Sequence, residues 1–224
     1  RMEIKTFSPK QAEILRFAYN DEETLICDGA VRSGKTIVMT LSFVLWAMTY
    51  FNHTNFAICG KTVSNAERNI LRPFQQIEGM PFTLNYKISN RMLTVQSGDK
   101  ENYFYLFGGK DESSYALIQG LTLAGVLFDE VALMPQSFVD QAIARTLSFA
   151  NAKIWFNCNP ENPLHWFYNE WIKKADEKNC LYLHFLMSDN PSLTESIRNR
   201  YESLCAAQKV ALGSLHRSDL LPGG

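Results

Sequence analysis

Short apolar runs recur along the chain, and longer stretches with helical character lie between them. Residues 24–28 (TLICD), 56–59, 123–128 and 154–156 read as strands buried on both faces. Residues 35–50 contain neither proline nor glycine and predict a long buried helix. A second helix is predicted over 64–71, stopping near Pro73. Residues 92–96 and 103–107 flank a Gly-Asp-Lys-Glu-Asn turn and predict an antiparallel hairpin. Further helices are predicted over 135–147, with Pro135 in the first turn, over 163–175, and over the charged amphipathic stretch 195–204. Residues 181–186 predict a last strand. Such alternation predicts an α/β fold with a mostly parallel sheet and helices on both faces. No internal repeat or low-complexity linker breaks it, so 1–204 reads as one domain and 205–224 as an irregular tail.

Composition narrows the class. A chain of 224 residues, 46% hydrophobic and 20% charged, can bury a full core. A formal net charge of −1 leaves no basic footprint on the whole molecule, so nucleic acid would have to meet a local patch, a partner or a further domain. Lys61, Arg68 and Arg72 are candidates for such a patch, against the alternative of a solvated helix face. Five cysteines without a CxxC pair argue against a zinc site and a disulfide framework, and read as small buried hydrophobes in a reducing cytosol. His53, His165, His184 and His216 lack metal-ligand spacing, and the four tryptophans read as core or docking-face residues. The longest apolar run, 41–51, is too short to span a bilayer. No signal peptide opens the sequence, and Arg1 reads as a remnant ahead of a start methionine.

The candidate chemistry sits at strand ends. Gly29-Ala30-Val31-Arg32-Ser33-Gly34-Lys35-Thr36 matches G-x-x-x-x-G-K-[ST] between a predicted strand and a predicted helix. In such a P-loop the glycines let backbone N–H groups converge on phosphate oxygens, and the following helix aims its positive end at the same anion. Lys35 is then the side chain for the β- and γ-phosphates of ATP, and Thr36 the hydroxyl for Mg²⁺. Arg32 either reaches the γ-phosphate or pairs with a neighbouring acid. The run 126–130 (VLFDE) ends a strand in two carboxylates, at the edge where open α/β sheets bind ligands. Asp129 is the candidate Mg²⁺ ligand and Glu130 the group that polarises the attacking water. A third strand ends in Asn157-Cys158-Asn159-Pro160. Asn159 either senses the γ-phosphate or closes an Asx turn before Pro160. In FSPKQ, Gln11 either pairs with the adenine edge or lies on the surface of a helix capped by Ser8. Together these residues predict a Mg-dependent ATPase of the P-loop (RecA/ASCE-like) class.

The ordered strings FSPKQ, GAVRSGKT, GLTLAGVLFDEVALMP, WFNCNPENPLHWFYNEW and DNPSL resemble the ATPase domain of tailed-phage terminase large subunits, the motors that pump DNA into procapsids. The resemblance covers about 7–204 and is nearest to the branch found in phages and prophages of low-GC Gram-positive and related bacteria. The loop and the Asp-Glu pair are shared by many ATPases, whereas the stretch 120–135 followed by Asn-Pro is more specific. The resemblance implies that Gln11 reads adenine, that Lys35 and Thr36 hold phosphate and metal, and that Asp129 and Glu130 are the metal and catalytic carboxylates. It makes Arg32 the loop arginine of these motors and Asn159, or else Asn157, the residue coupling hydrolysis to movement. The implied partners are double-stranded DNA, the portal protein and the small terminase subunit. The chain would form a homo-oligomeric ring during packaging and be a monomer in isolation, away from membranes, in the cytoplasm of a bacterial host. Gln119 stands where some members carry an arginine that acts across subunits, and Arg145 is a candidate replacement. The RNase H-like nuclease domain of these subunits is not in the sequence, so no nuclease activity is expected.

Two other functions fit parts of the pattern. A helicase core would require a second lobe, and such helicases usually carry Ser-Ala-Thr where this sequence has Asn-Cys-Asn-Pro. A nucleotide-binding assembly module would keep the loop but turn over little without a partner's arginine.

Overall fold

The buried runs pair across the sheet with strands distant in sequence. The computed structural model describes residues 2–4, 6–30, 32–159, 164–197, 199–200 and 203. Its strands are β1 (Thr24–Gly29), β2 (Asn55–Gly60), β3 (Thr83–Lys87), β4 (Met92–Ser97), β5 (Lys100–Gly108), β6 (Gly125–Phe128), β7 (Lys153–Asn157) and β8 (Cys180–Phe185). They form one sheet in the order β3-β4-β5-β2-β6-β7-β1-β8. Every pairing from β5 to β8 is parallel. The hairpin predicted between β4 and β5 is present, and β3 extends it antiparallel at the edge.

Strand alternation sorts the core into two layers. Leu25, Cys27, Phe56, Ile58, Phe104, Leu106, Leu127 and Trp155 face one side. Helices α1 (Pro9–Phe17) and α2 (Lys35–Tyr50) cover that side. Ile26, Ala57, Cys59, Val126, Phe128, Ile154 and Phe156 face the other, under α5 (Glu112–Gln119) and α6 (Gln136–Ala144). Helix α2 is apolar nearly all round because sheet and neighbouring helices enclose it. Phe43 packs against Trp155 with ring centroids 4.9 Å apart, and Trp46 against Phe51 at 4.9 Å. Ser42 is fully buried yet satisfied, donating to the Ile14 carbonyl and accepting from Trp155 Nε1.

Several elements differ from the sequence pattern. After α3 (Val63–Ala66) the backbone widens into a π turn, Glu67–Leu71, and then continues through Pro73 as α4 (Arg72–Gln75). Arg72 N–H donates five residues back, to Glu67 O, and this widened turn immediately precedes a proline that cannot take part in the ordinary ladder. Pro135 caps α6 from outside, and the helix ends at Ala144. The helix expected from Pro163 is a short one with a π turn over Tyr168–Ile172. Pro163 itself, Pro160, Leu204 and the tail 205–224 lie outside the described residues, as does Val31 of the P-loop. Within the last predicted helix, 195–197, 199–200 and 203 are helical. Strand β3 and helix α5 have no counterpart in the sequence reading. Among the described residues no helix is long and apolar enough to cross a membrane.

Candidate active site

The parallel topology brings the carboxyl ends of β1, β6 and β7 side by side. Backbone bonds continue past the strands: Ala30 N–H donates to Phe185 O, Asp129 N–H to Cys59 O, and Cys158 N–H to Cys27 O. The loop after β1 therefore leaves the sheet at a defined height. Gly29 has φ 105° and Gly34 φ 80°, and a Cβ at Gly29 would strike the Phe185 carbonyl. Gly34 starts α2, whose positive end points out of the sheet edge. Arg32 adopts φ 63° and Glu130 φ 54°, both left-handed. For a non-glycine residue such a conformation costs on the order of 1 kcal/mol, and it clusters at functional sites.

Loop and strand ends enclose a cavity of about 300 Å³, lined by Arg32, Ser33, Gly34, Lys35, Thr36, Asn69, Asp129, Glu130, Asn157 and Asn159 among others. Lys35 is buried, and its Nζ donates to the carbonyls of Gly29 (2.9 Å) and Ala30 (2.8 Å). Burial lowers its pKa, opposed by the neighbouring Cys27, Cys158, Asp28 and Asp129. The loop's own carbonyls thus satisfy the ammonium.

One amide organises the opposite wall. Asn157 Nδ2 donates to Asp129 Oδ1 at 2.6 Å and to Thr36 Oγ1 at 2.9 Å. Burial raises the Asp129 pKa to about 6, Glu130 adds to the rise, and Asn157, Asn69 and Lys35 oppose it. Asn69, on the π turn, hydrogen-bonds the same carboxylate. Sequence patterning does not single out Asn69, since only the order β2-β6-β7-β1 carries its helix to this edge. Glu130 is exposed at the rim, as are Arg32 and Asn159. Of the two asparagines at the end of β7, Asn157 contacts the carboxylate, while Asn159 lines the cavity from outside.

Gln11 is 4% exposed, so of its two readings the helix-surface one is set aside. Its Oε1 accepts the Ser8 N–H at 3.0 Å in a capping box, and its Nε2 donates to Ser33 O at 3.4 Å. Arg145 lies at the amino end of the sheet, where its Nη1 donates to Gln119 O and its carbonyl accepts Leu123 N–H ahead of β6. Arg68 on the π turn and Arg72 at the start of α4 are exposed, and Lys61 is half-buried ahead of them.

A hydroxyl and a carboxylate joined by one amide form a hard oxygen set. Among the described residues no group of three or more His, Cys, Asp or Glu could hold a metal alone. Mg²⁺ suits this arrangement, since it takes one or two protein oxygens and completes its shell with phosphate oxygens and water.

The model of the terminase large subunit family, T4-like-virus type, N-terminal part, matches residues 26–210. No curated protein matches the chain. Among solved structures, the large terminase of a thermophilic bacteriophage is 50% identical with a TM-score of 0.85, over 88% of this chain and 50% of that one. The same terminase in complex with ATP-gamma-S is 47% identical with a TM-score of 0.81, over 88% of this chain and 49% of that one. The large terminase ATPase domain of Thermus phage P74-26, at 18% identity and a TM-score of 0.58 over 81% of this chain and 86% of that one, shares the fold. The chain thus spans about half the length of the first terminase it matches.

Proposed function

The chain belongs to the terminase large-subunit family, and from that premise we propose that it is the Mg²⁺-dependent ATPase that drives double-stranded DNA into a procapsid. The observation that carries this reading is the Asn157 amide, which ties the P-loop hydroxyl of Thr36 to the buried carboxylate of Asp129. That contact joins two motifs about ninety residues apart in sequence at one cavity, which supports a phosphate-and-metal reading. A solved relative binds an ATP analogue.

In this mechanism the loop N–H groups and the start of α2 take the β- and γ-phosphates. Lys35 leaves the carbonyls of Gly29 and Ala30 and turns to the phosphate oxygens. Thr36 and Asp129 would hold Mg²⁺, which neutralises charge on those oxygens when bound. Asn157 and Asn69 fix the direction of the Asp129 carboxylate. Glu130, at the rim, orients the attacking water and accepts its proton. Arg32 faces the charge that develops on the terminal phosphate. Gln11 uses one N–H on Ser33 and one carbonyl lone pair on Ser8, so its second N–H and second lone pair are the groups for the adenine edge. Asn159 is the rim residue assigned to coupling. Portal protein, small subunit and a ring of copies are the working assembly, in the host cytoplasm, with Arg68, Arg72 and Lys61 as the candidate DNA-facing cations.

Steady-state phosphate release, measured with and without portal and DNA, tests the proposal. Mg²⁺-dependent release that DNA accelerates is expected. ATP binding without release under every condition would replace it with the assembly-module reading.

A further inference from the structure

Arg32 lies at φ 63° and lines the nucleotide cavity. A long side chain rarely adopts that backbone. A contact from the far end of the sequence bears on it: Asn190 Nδ2 donates to the Arg32 carbonyl at 2.7 Å. The other end of the same amide is also committed, since Asn190 Oδ1 accepts the Ser192 N–H at 3.0 Å. Both polar atoms of Asn190 thus bond within the chain, and the amide bridges the loop to its own turn. The segment carrying it is anchored. Asp189 pairs with Lys10 at 2.9 Å and accepts the Leu186 N–H at 2.7 Å, and Met187 is buried. From the other side, Gln11 reaches the next carbonyl, Ser33 O. A Cβ at Gly34 would lie 2.7 Å from Gln11 Nε2 and 3.6 Å from Asn190 Cγ. Two amides from opposite ends of the sequence close on consecutive carbonyls of the loop.

We propose that Asn190 is a positioning residue: its clip on the Arg32 carbonyl fixes the left-handed backbone of Arg32, and with it the direction from which the guanidinium meets the terminal phosphate. The functional half of this inference rests on the role given to Arg32 above. The competing account is that Asn190 only closes a turn over Ser192. The two separate cleanly, because the turn needs the acceptor and the clip needs the donor. Asn190→Ser keeps a neutral acceptor for the Ser192 N–H but is too short to reach Arg32, and it adds no charge near phosphate.

Amide hydrogen exchange of the nucleotide-free chain reads the clip without reference to turnover. In Asn190→Ser the amides of residues 29–36 should exchange about tenfold faster while those around Ser192 stay protected. Unchanged exchange in the loop overturns the proposal. ATP hydrolysis by Asn190→Ser, Arg32→Ala and the double variant then reads the consequence. The single Asn190→Ser change should lower kcat about tenfold with ATP affinity within about twofold, and the double variant should be no slower than Arg32→Ala alone. Independent, additive losses overturn the positioning role. If Arg32→Ala leaves kcat intact while the loop still loosens in Asn190→Ser, the clip stands and the role of Arg32 in hydrolysis falls.

Discussion

Lys35 and Asp129 each carry a charge into a buried place. Lys35→Ala removes the ammonium proposed to meet the phosphates, so ATP hydrolysis should disappear and ATP binding weaken by about tenfold or more in titration calorimetry. Full turnover in that variant would take the loop out of the chemistry. Glu130→Gln keeps the shape of the rim but removes the proposed proton acceptor, and kcat should fall ~10²–10⁴-fold with ATP affinity nearly unchanged. Equal losses in both would make Glu130 structural. Burial raises the pKa of Asp129 from the ordinary aspartate range to about 6. The metal-free folded state therefore holds this proton more tightly than the unfolded state, and stability falls as pH rises from about 4 to about 6. At neutral pH the full deficit, on the order of 3 kcal/mol, is present. Asp129→Asn should accordingly melt higher than the parent at pH 7 in the absence of Mg²⁺, lose the pH dependence, and fail to hydrolyse ATP. A lower melting temperature would mean the carboxylate is compensated. These side chains were legible in sequence because glycine spacing and a strand ending in acids are local patterns. Asn69 and Asn190 were not, since each acts on a residue that only the strand order brings near.

The elements were legible where burial is continuous. Helix α2 spans the predicted 35–50 because its apolar content leaves no other place for it. Strand β3, with every second residue exposed, has too little apolar content to stand out. The π turn before Pro73 was illegible because proline spacing gives a stop, not a widened turn. The end of α2 also depends on a distant side chain. Asn102 is fully buried; its Nδ2 donates to Ala47 O and Phe51 O, and its Oδ1 accepts the Thr54 N–H. Lys100 covers Met48 O and Thr49 O beside it. Asn102→Ala would leave buried backbone groups without partners, and urea unfolding should show a loss of about 2–4 kcal/mol. A loss below about 0.5 kcal/mol would show that water replaces the amide.

For the whole molecule, the nucleotide pocket is also a stability reservoir. A ligand that binds only the folded chain adds about 2.7 kcal/mol at a hundred times its Kd. ATP with Mg²⁺ should raise the melting temperature by several degrees, and the tenfold or greater affinity loss in Lys35→Ala should cut the shift to about half or less at the same ATP concentration. A shift retained in full in that variant would place the binding elsewhere, such as the cavity between Tyr19, Trp46 and Tyr50 at the opposite edge. The two-layer α/β plan was readable from alternation, but the neighbours of β1 were not, because pairing order is no property of any single segment. Those neighbours, β7 and β8, set a timetable for synthesis. Strand β1 leaves the ribosome about 120 residues before β7 exists to receive it, a wait on the order of ten seconds at ~5–20 residues per second. Through that interval one of the most apolar segments of the protein has no place in the sheet, and the phosphate loop it carries has no shape. A chain arrested before residue 185 would leave β1 without both its partners, so the cavity at the carboxyl edge takes shape only as the last strands of the sheet are made.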